Sequence, residues 1–211
     1  MAELEIVGFA QSMFVRTVRM ALEEKGIAYR HVPVMPQTDE VLALNPFGRV
    51  PAMRHGSVRL FESRAIVGYA DRVFEGPRLF PDDAGEAAVI EQWIAAINGN
   101  VMRPLFPYMQ AHAFPKGPNG TPDRAVVDAA WPSAKPMLAV LDHAVAGGAL
   151  AGPRFTVADA FLMPALAYLP HFAESRAFLD ESRHLKRYFE RHATRPSFVK
   201  TAPPPMRELR R

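Results

Sequence analysis

The chain has 211 residues, 49% of them hydrophobic and 22% charged, with 20 prolines and no cysteine. This suffices for a globular core in one large or two modest domains, and the missing cysteine excludes a disulfide framework, a cysteine nucleophile, a thiolate metal site and an iron–sulfur cluster. The net charge of +3 reflects Arg207, Arg210 and Arg211 at the very end; elsewhere acids and bases interleave, without the basic stripe and stacking aromatics of a nucleic-acid binder.

Residues 4–9 form a compact β-prone run. Ser12 then precedes Val15, Val18 and Leu22 at helical spacing, and Lys25–Gly26 marks the exit. Residues 29–34 alternate as a second strand, which Pro33 and Pro36 confine to an edge or end early. Residues 40–44 make at most a short helix, closed by Asn45–Pro46. Residues 50–54 and 58–61 flank the turn His55–Gly56–Ser57 as a hairpin, and Ser63 opens a helix with Ile66, Ala70 and Val73 on one face. The order is βαβαββα within 80 residues.

Composition then changes. Residues 76–83 read as a linker, and no strand pattern follows. Ile90, Trp93, Ile94, Ile97 and Val101 form a helical stripe running toward Phe106. Residues 114–122 are a loop, and 125–145 a helix with Val126, Ala130, Ala134, Met137, Leu138 and Leu141 on one face. Thr156 and Asp159 have capping-box spacing at the start of a buried helix, and a last helix covers 185–192. The expected domains are 1–76, a linker at 77–85, an all-helical 86–200, and an extended Pro/Arg-rich tail at 201–211. The acidic start and the absence of a ~20-residue apolar run predict a cytoplasmic protein with neither signal nor membrane segment.

Three short stretches carry chemical information. Asn45–Pro46–Phe47–Gly48–Arg49–Val50–Pro51 packs two prolines and a glycine before a strand. Its Val50–Pro51 bond is a candidate cis peptide that would turn Val50's backbone groups toward a ligand; an ordinary trans turn is the plain alternative. Glu62–Ser63 puts an acid and a hydroxyl at a helix mouth, with Ser63 as the expected N-cap. There a carboxylate meets helix N–H groups while Glu62 can pair with an ammonium, a combination suited to an α-amino acid. Ser12 is likewise an N-cap by position. The seven histidines show no metal-ligand or triad spacing, so none is assigned.

Together these pieces resemble the glutathione S-transferase family. The likeness rests on Ser12 with residues 16–26, on 45–51, on 61–66 and on 156–159, all in register from about residue 4 to residue 200. It is to a bacterial-type cytosolic, serine-type member with phi- and theta-like motifs. The resemblance implies a thioredoxin-like N-terminal domain, an all-helical C-terminal domain, glutathione as co-substrate, no metal, and a homodimer without nucleic-acid or membrane partners.

Position by position, Ser12 matches the hydroxyl that serves the glutathione thiolate, and Val50 and Pro51 the corner that pairs with the cysteinyl backbone. Glu62 and Ser63 match the γ-glutamyl ligands. Arg49 stands where related members carry Gln or Lys. The segment 35–44 is short and lacks the usual basic residue for the glycine carboxylate, leaving Gln37 as the nearby candidate. Met102, Phe106 and Met109 would line a hydrophobic electrophile pocket with Phe14 across from them, and Asn98 and Arg103 would reach glutathione, from the same or the partner subunit; ordinary helix packing is the plain alternative for each.

The implied reaction is conjugation of glutathione to hydrophobic electrophiles. A free thiol titrates near ~8.5. A charge-assisted hydrogen bond of about 1.5–3 kcal/mol, helped by a helix dipole, lowers that by about one to three pH units. Ser12 has only a hydrogen bond to give, because the reactive sulfur is the one glutathione brings. Two other readings stay open: a non-catalytic member that binds glutathione, a hydrophobic ligand or a protein, and a glutathione-dependent peroxidase or isomerase.

Overall fold

Strands β1 (Leu4–Val7), β2 (Arg30–Val32), β3 (Ala52–His55) and β4 (Val58–Phe61) form one mixed sheet in the order β2-β1-β3-β4. The structure, a computed structural model, describes residues 2–205. β1 pairs parallel with β2 and antiparallel with β3, and β3 pairs antiparallel with β4. A parallel pair needs a crossover, and α1 (Met13–Lys25) supplies it, with Val15, Val18 and Leu22 fully buried. β2 ends at Val32, sooner than its alternation suggests, where the Pro33 ring locks φ at about −65° and interrupts the strand. A short α2 (Asp39–Leu42) precedes β3, and α3 (Ser63–Val73) follows β4.

Register gathers the later features at one end of the sheet. Val7 faces both Val32 and Ala52, and Ala52 faces Phe61. The last residues of β1, β2 and β4 and the first of β3 therefore lie side by side. The three stretches that carry chemical information follow β1, precede β3 and follow β4 at that end.

Residues up to Asp83 and the segment from Ala193 form one unit, and Ala84–His192 a second. The boundary expected at residue 200 thus falls earlier. The reason is a set of side chains that fasten α10 (Pro196–Lys200) to α1: Arg195 binds Glu24 through two contacts of 2.9 and 2.6 Å, and Lys200 binds Glu23 at 2.7 Å. Arg16 donates to the Phe198 carbonyl at 2.8 Å and lies 3.9 Å over its ring. The linker is also tied down. Lys25 Nζ meets Asp71 at 3.1 Å, with side chains 1% and 3% exposed, and donates to the Gly76 and Pro77 carbonyls. Of the expected tail, residues 206–211 lie outside the described residues. Pro204 is held, not loose, since its carbonyl accepts from Gln11 Nε2 at 3.3 Å.

The second unit contains no strand among the described residues. α4 (Ala84–Ala96) continues through a π turn at Ile97–Val101 into α5 (Met102–Ala113), followed by α6 (Arg124–Ala144), α7 (Val157–Leu166), α8 (Ala173–Glu181) and α9 (Arg183–Ala193). α7 is buried along its whole length, as expected of a helix apolar all round. Thr156 N–H donates to Asp159 at 2.7 Å, the return half of a capping box. The face expected for α6 needs correction. Val127, Ala134, Leu138 and Leu141 are buried, whereas Val126 is 38% exposed. Ala130 and Met137 with Val126 line a surface groove instead. The expected thioredoxin-like unit followed by an all-helical one is the observed architecture.

Candidate functional site

Ser12 caps α1: its Oγ accepts from Val15 N–H at 3.4 Å, and its own N–H donates to Phe9 O at 3.1 Å. The residue is 8% exposed. Among the described residues no group accepts the Ser12 hydroxyl proton. The N-cap role uses the oxygen lone pair and leaves the proton, so capping and donation to a ligand coexist. Gly8, just past β1, has φ 146°; a Cβ there would stand 2.5 Å from Val15 Cγ2 and 2.8 Å from Val50 Cβ. Only glycine lets the start of α1 and the Val50 corner approach this closely.

The Val50–Pro51 bond is cis. Val50 is half-buried, and among the described residues its backbone N–H and C=O enter no hydrogen bond. The loop before it is shaped by a residue that sequence reasoning passed over. Asn45, 2% exposed, accepts from Phe47 N–H at 3.0 Å and donates to Arg49 O at 2.7 Å. The signal was present, since Asn before Pro favours an Asx turn. Gln37 joins the same loop: its N–H donates to Gly48 O at 2.9 Å and its Nε2 to Phe47 O at 3.1 Å. Gly48 sits at φ 63°, where a Cβ would meet Gln37 Oε1 at 2.5 Å. Gln37 and Arg49 are exposed. Gln37 keeps its amide oxygen open, and the Arg49 guanidinium has no partner among the described residues.

At α3 the structure exchanges two roles. Ser63, expected as N-cap, is the first helical residue, and Glu62 occupies the cap without a side-chain capping bond. The reason is backbone: Glu62 lies at φ 69°, ψ 116°, outside the regions a non-glycine residue ordinarily adopts. Such strain concentrates at ligand sites. Glu62 is exposed and Ser63 is 6% exposed. Neither side chain has a hydrogen-bond partner among the described residues. Both α1 and α3 begin at this end of the sheet, and helix N-termini favour anions.

Ser12, Phe14, Gln37, Arg49, Val50, Pro51, Glu62 and Ser63 all belong to the first unit, with Phe14 half-buried in the first turn of α1. The other residues singled out belong to the second. Asn98 is exposed in the π turn, and Arg103 is exposed beside Pro104, Pro107 and Val126 in a groove of about 720 Å³. Met102 and Met109 are buried at 4% and 3%, so of the three apolar residues only Phe106, at 36%, reaches the surface. Tyr108 is committed inside the helical unit. Its hydroxyl donates to Glu174 at 3.3 Å and accepts from Ser175 N–H at 3.1 Å, and burial raises its pKa. Among the described residues no group of His, Asp and Glu could hold a metal ion, and no helix is long and apolar enough to cross a membrane.

Comparison with known proteins gives two family matches: Glutathione S-transferase, N-terminal domain, over residues 6–78, and Glutathione S-transferase, C-terminal domain, over 104–196. The chain is 35% identical to Glutathione S-transferase 3 of Zea mays, over 97% of this chain and 98% of the relative. Among solved structures it is similar to glutathione S-transferase III in its apo form, at TM-score 0.81 and 35% identity over 97% of this chain and all of that one. It is also similar to glutathione S-transferase I from maize in complex with an atrazine glutathione conjugate, at TM-score 0.80 and 30% identity over 95% and 96% of the two chains.

Proposed function

The chain belongs to the glutathione S-transferase family and conjugates glutathione; within that activity we propose that Ser12 donates the hydrogen bond that holds the glutathione sulfur as a thiolate. The observation that carries this assignment is the unspent Ser12 proton, at the N-terminus of α1 and at the sheet end shared with Val50 and Glu62–Ser63. Glutathione extends along that end. Val50's backbone N–H and C=O pair with the cysteinyl unit as one more strand would. The γ-glutamyl carboxylate takes the Ser63 hydroxyl and the α3 N-terminus, and its ammonium takes the Glu62 carboxylate. Arg49 and the open Gln37 oxygen lie at the remaining end, where Arg49 attracts the glycine carboxylate.

The bound thiol loses its proton to solvent, and Ser12 with the α1 dipole stabilises the resulting charge. Sulfur then forms its bond to the electrophilic carbon while the leaving group departs with its electron pair. Lowering the thiol pKa raises the thiolate fraction but weakens the nucleophile, with a Brønsted slope of about 0.4–0.5, so the net gain from ionisation is about tenfold. Holding the two reactants together supplies the larger part. The reading extends to a cytoplasmic homodimer. The exposed, largely apolar α5–α6 groove supports the second copy, and sedimentation at micromolar concentration tests it.

Replacing Ser12 by alanine tests the central assignment. The expected result is a fall in kcat toward a halonitrobenzene of about tenfold. Calorimetric glutathione affinity should stay near the parent's, because Val50, Glu62 and Ser63 remain. Full activity in Ser12→Ala would remove Ser12 from the reaction. A parent protein that binds glutathione but turns over no electrophile would favour the non-catalytic reading.

A further inference from the structure

With β2 cut short at Val32 by Pro33, the carbonyl of Gly8 lies beyond the regular ladder. A side chain serves it: Nε2 of His31 is 2.7 Å from Gly8 O, while Gly8 N–H donates to Val32 O at 2.9 Å. A carbonyl can only accept, so this short contact fixes Nε2 as the protonated nitrogen. Burial, aided by the charge of Arg19, lowers the His31 pKa and favours the neutral ring, though the Gly8 bond opposes this.

Gly8 is the node of the site. It is wedged between Val15, in the turn that Ser12 caps, and Val50. Three residues separate it from Ser12, and Phe9 closes that turn by accepting from Ser12 N–H. The plane of the Gly8–Phe9 peptide therefore sets both the direction in which the Ser12 turn leaves the sheet and its spacing from Val50. We propose that His31 is a positioning residue for the transferase reaction, holding that peptide plane so that the Ser12 hydroxyl meets the glutathione sulfur. This rests on the assignment of Ser12 as thiolate donor. In this role His31 acts through the Gly8–Phe9 peptide and not on the reacting atoms.

The test compares His31→Leu, which removes the donor, with His31→Gln, which keeps an N–H on a longer side chain, each with and without Ser12→Ala. In His31→Leu, kcat at neutral pH should fall about five- to tenfold and the midpoint of its pH profile should rise by about half to one pH unit. Calorimetric glutathione affinity should stay near the parent's. His31→Gln should recover most of the loss. In the Ser12→Ala background His31→Leu should add no further loss, the non-additivity of residues acting as one unit. Should His31→Leu not fold, His31→Asn, whose amide stops short of Gly8, takes its place. An unchanged pH profile in the donor-less variant, an equal loss in His31→Gln, or a full effect in the Ser12→Ala background would each overturn the proposal. Undiminished activity in Ser12→Ala alone would instead remove the Ser12 assignment on which it rests.

Discussion

The sheet end that carries Ser12 and the interior of the helical unit treat polar groups in opposite ways. In the helical unit Asp159 is fully buried, and its carboxylate accepts from Leu150 N–H, Thr156 N–H, Thr156 Oγ1 and Tyr188 OH. Ser175, also fully buried, donates to Leu169 O at 2.8 Å. Each of these groups stabilises the fold because it is satisfied. At the sheet end Asn45 and Gly8 are likewise committed to shape, but the groups they present are not. The Ser12 proton, the Ser63 hydroxyl, the Glu62 carboxylate and Val50's backbone pair have no partner among the described residues. Hydrogen-bonding capacity left open beside a strained backbone costs stability and is retained where a ligand will use it.

This contrast predicts where each substitution will register. The largest effect belongs to Asp159→Ala, which strands buried donors and should lower unfolding free energy by about 3–5 kcal/mol. Denaturant unfolding measures it, and glutathione affinity of the folded fraction should not change. Glu62→Ala should do the reverse, weakening calorimetric glutathione binding about ten- to a hundredfold with stability at or above the parent's. A joint loss of stability and affinity in either variant would break the distinction.

A smaller effect separates structural charge from functional charge within the first unit. Burial disfavours the Asp71 carboxylate, but donors at Leu79 N–H, Lys25 and Phe80 N–H hold its pKa below the ordinary value. A depressed folded pKa contributes stability above the unfolded pKa of about 3.9 and loses it as pH falls through the folded value. Asp71→Asn should therefore unfold at lower urea at neutral pH and show a flatter acid limb than the parent. An acid limb as steep as the parent's would show that Asp71 is not the group titrating.

The architecture was legible because its signals are local. Val15, Val18 and Leu22 gave α1, His55–Gly56–Ser57 gave the hairpin, and Thr156 with Asp159 gave the start of α7. The resemblance also pointed to Ser12, Val50 and Glu62–Ser63, which the register then brings to one sheet end. What escaped was set by tertiary context. Ser63 has the side chain of an N-cap, and nothing in the sequence reports the positive φ that gives the cap to Glu62. Val126 and Val127 are adjacent valines, and only the packing of α6 decides which is buried. α8 and α10 have weaker apolar stripes and are held by specific partners such as Ser175 with Leu169 and Arg195 with Glu24. Met102 and Met109 lie at helical spacing that suits a core as well as a pocket wall, and the structure buries both.

The most direct test of the central claim is a backbone amide NMR titration of the protein with reduced glutathione and no electrophile. If open hydrogen-bonding capacity marks the site, the largest chemical-shift changes fall at Val50, Ser63 and Ser12, and the amides of Thr156 and Ser175 stay where they were. Shifts centred on Thr156 and Ser175, with Val50 and Ser63 unmoved, would contradict it.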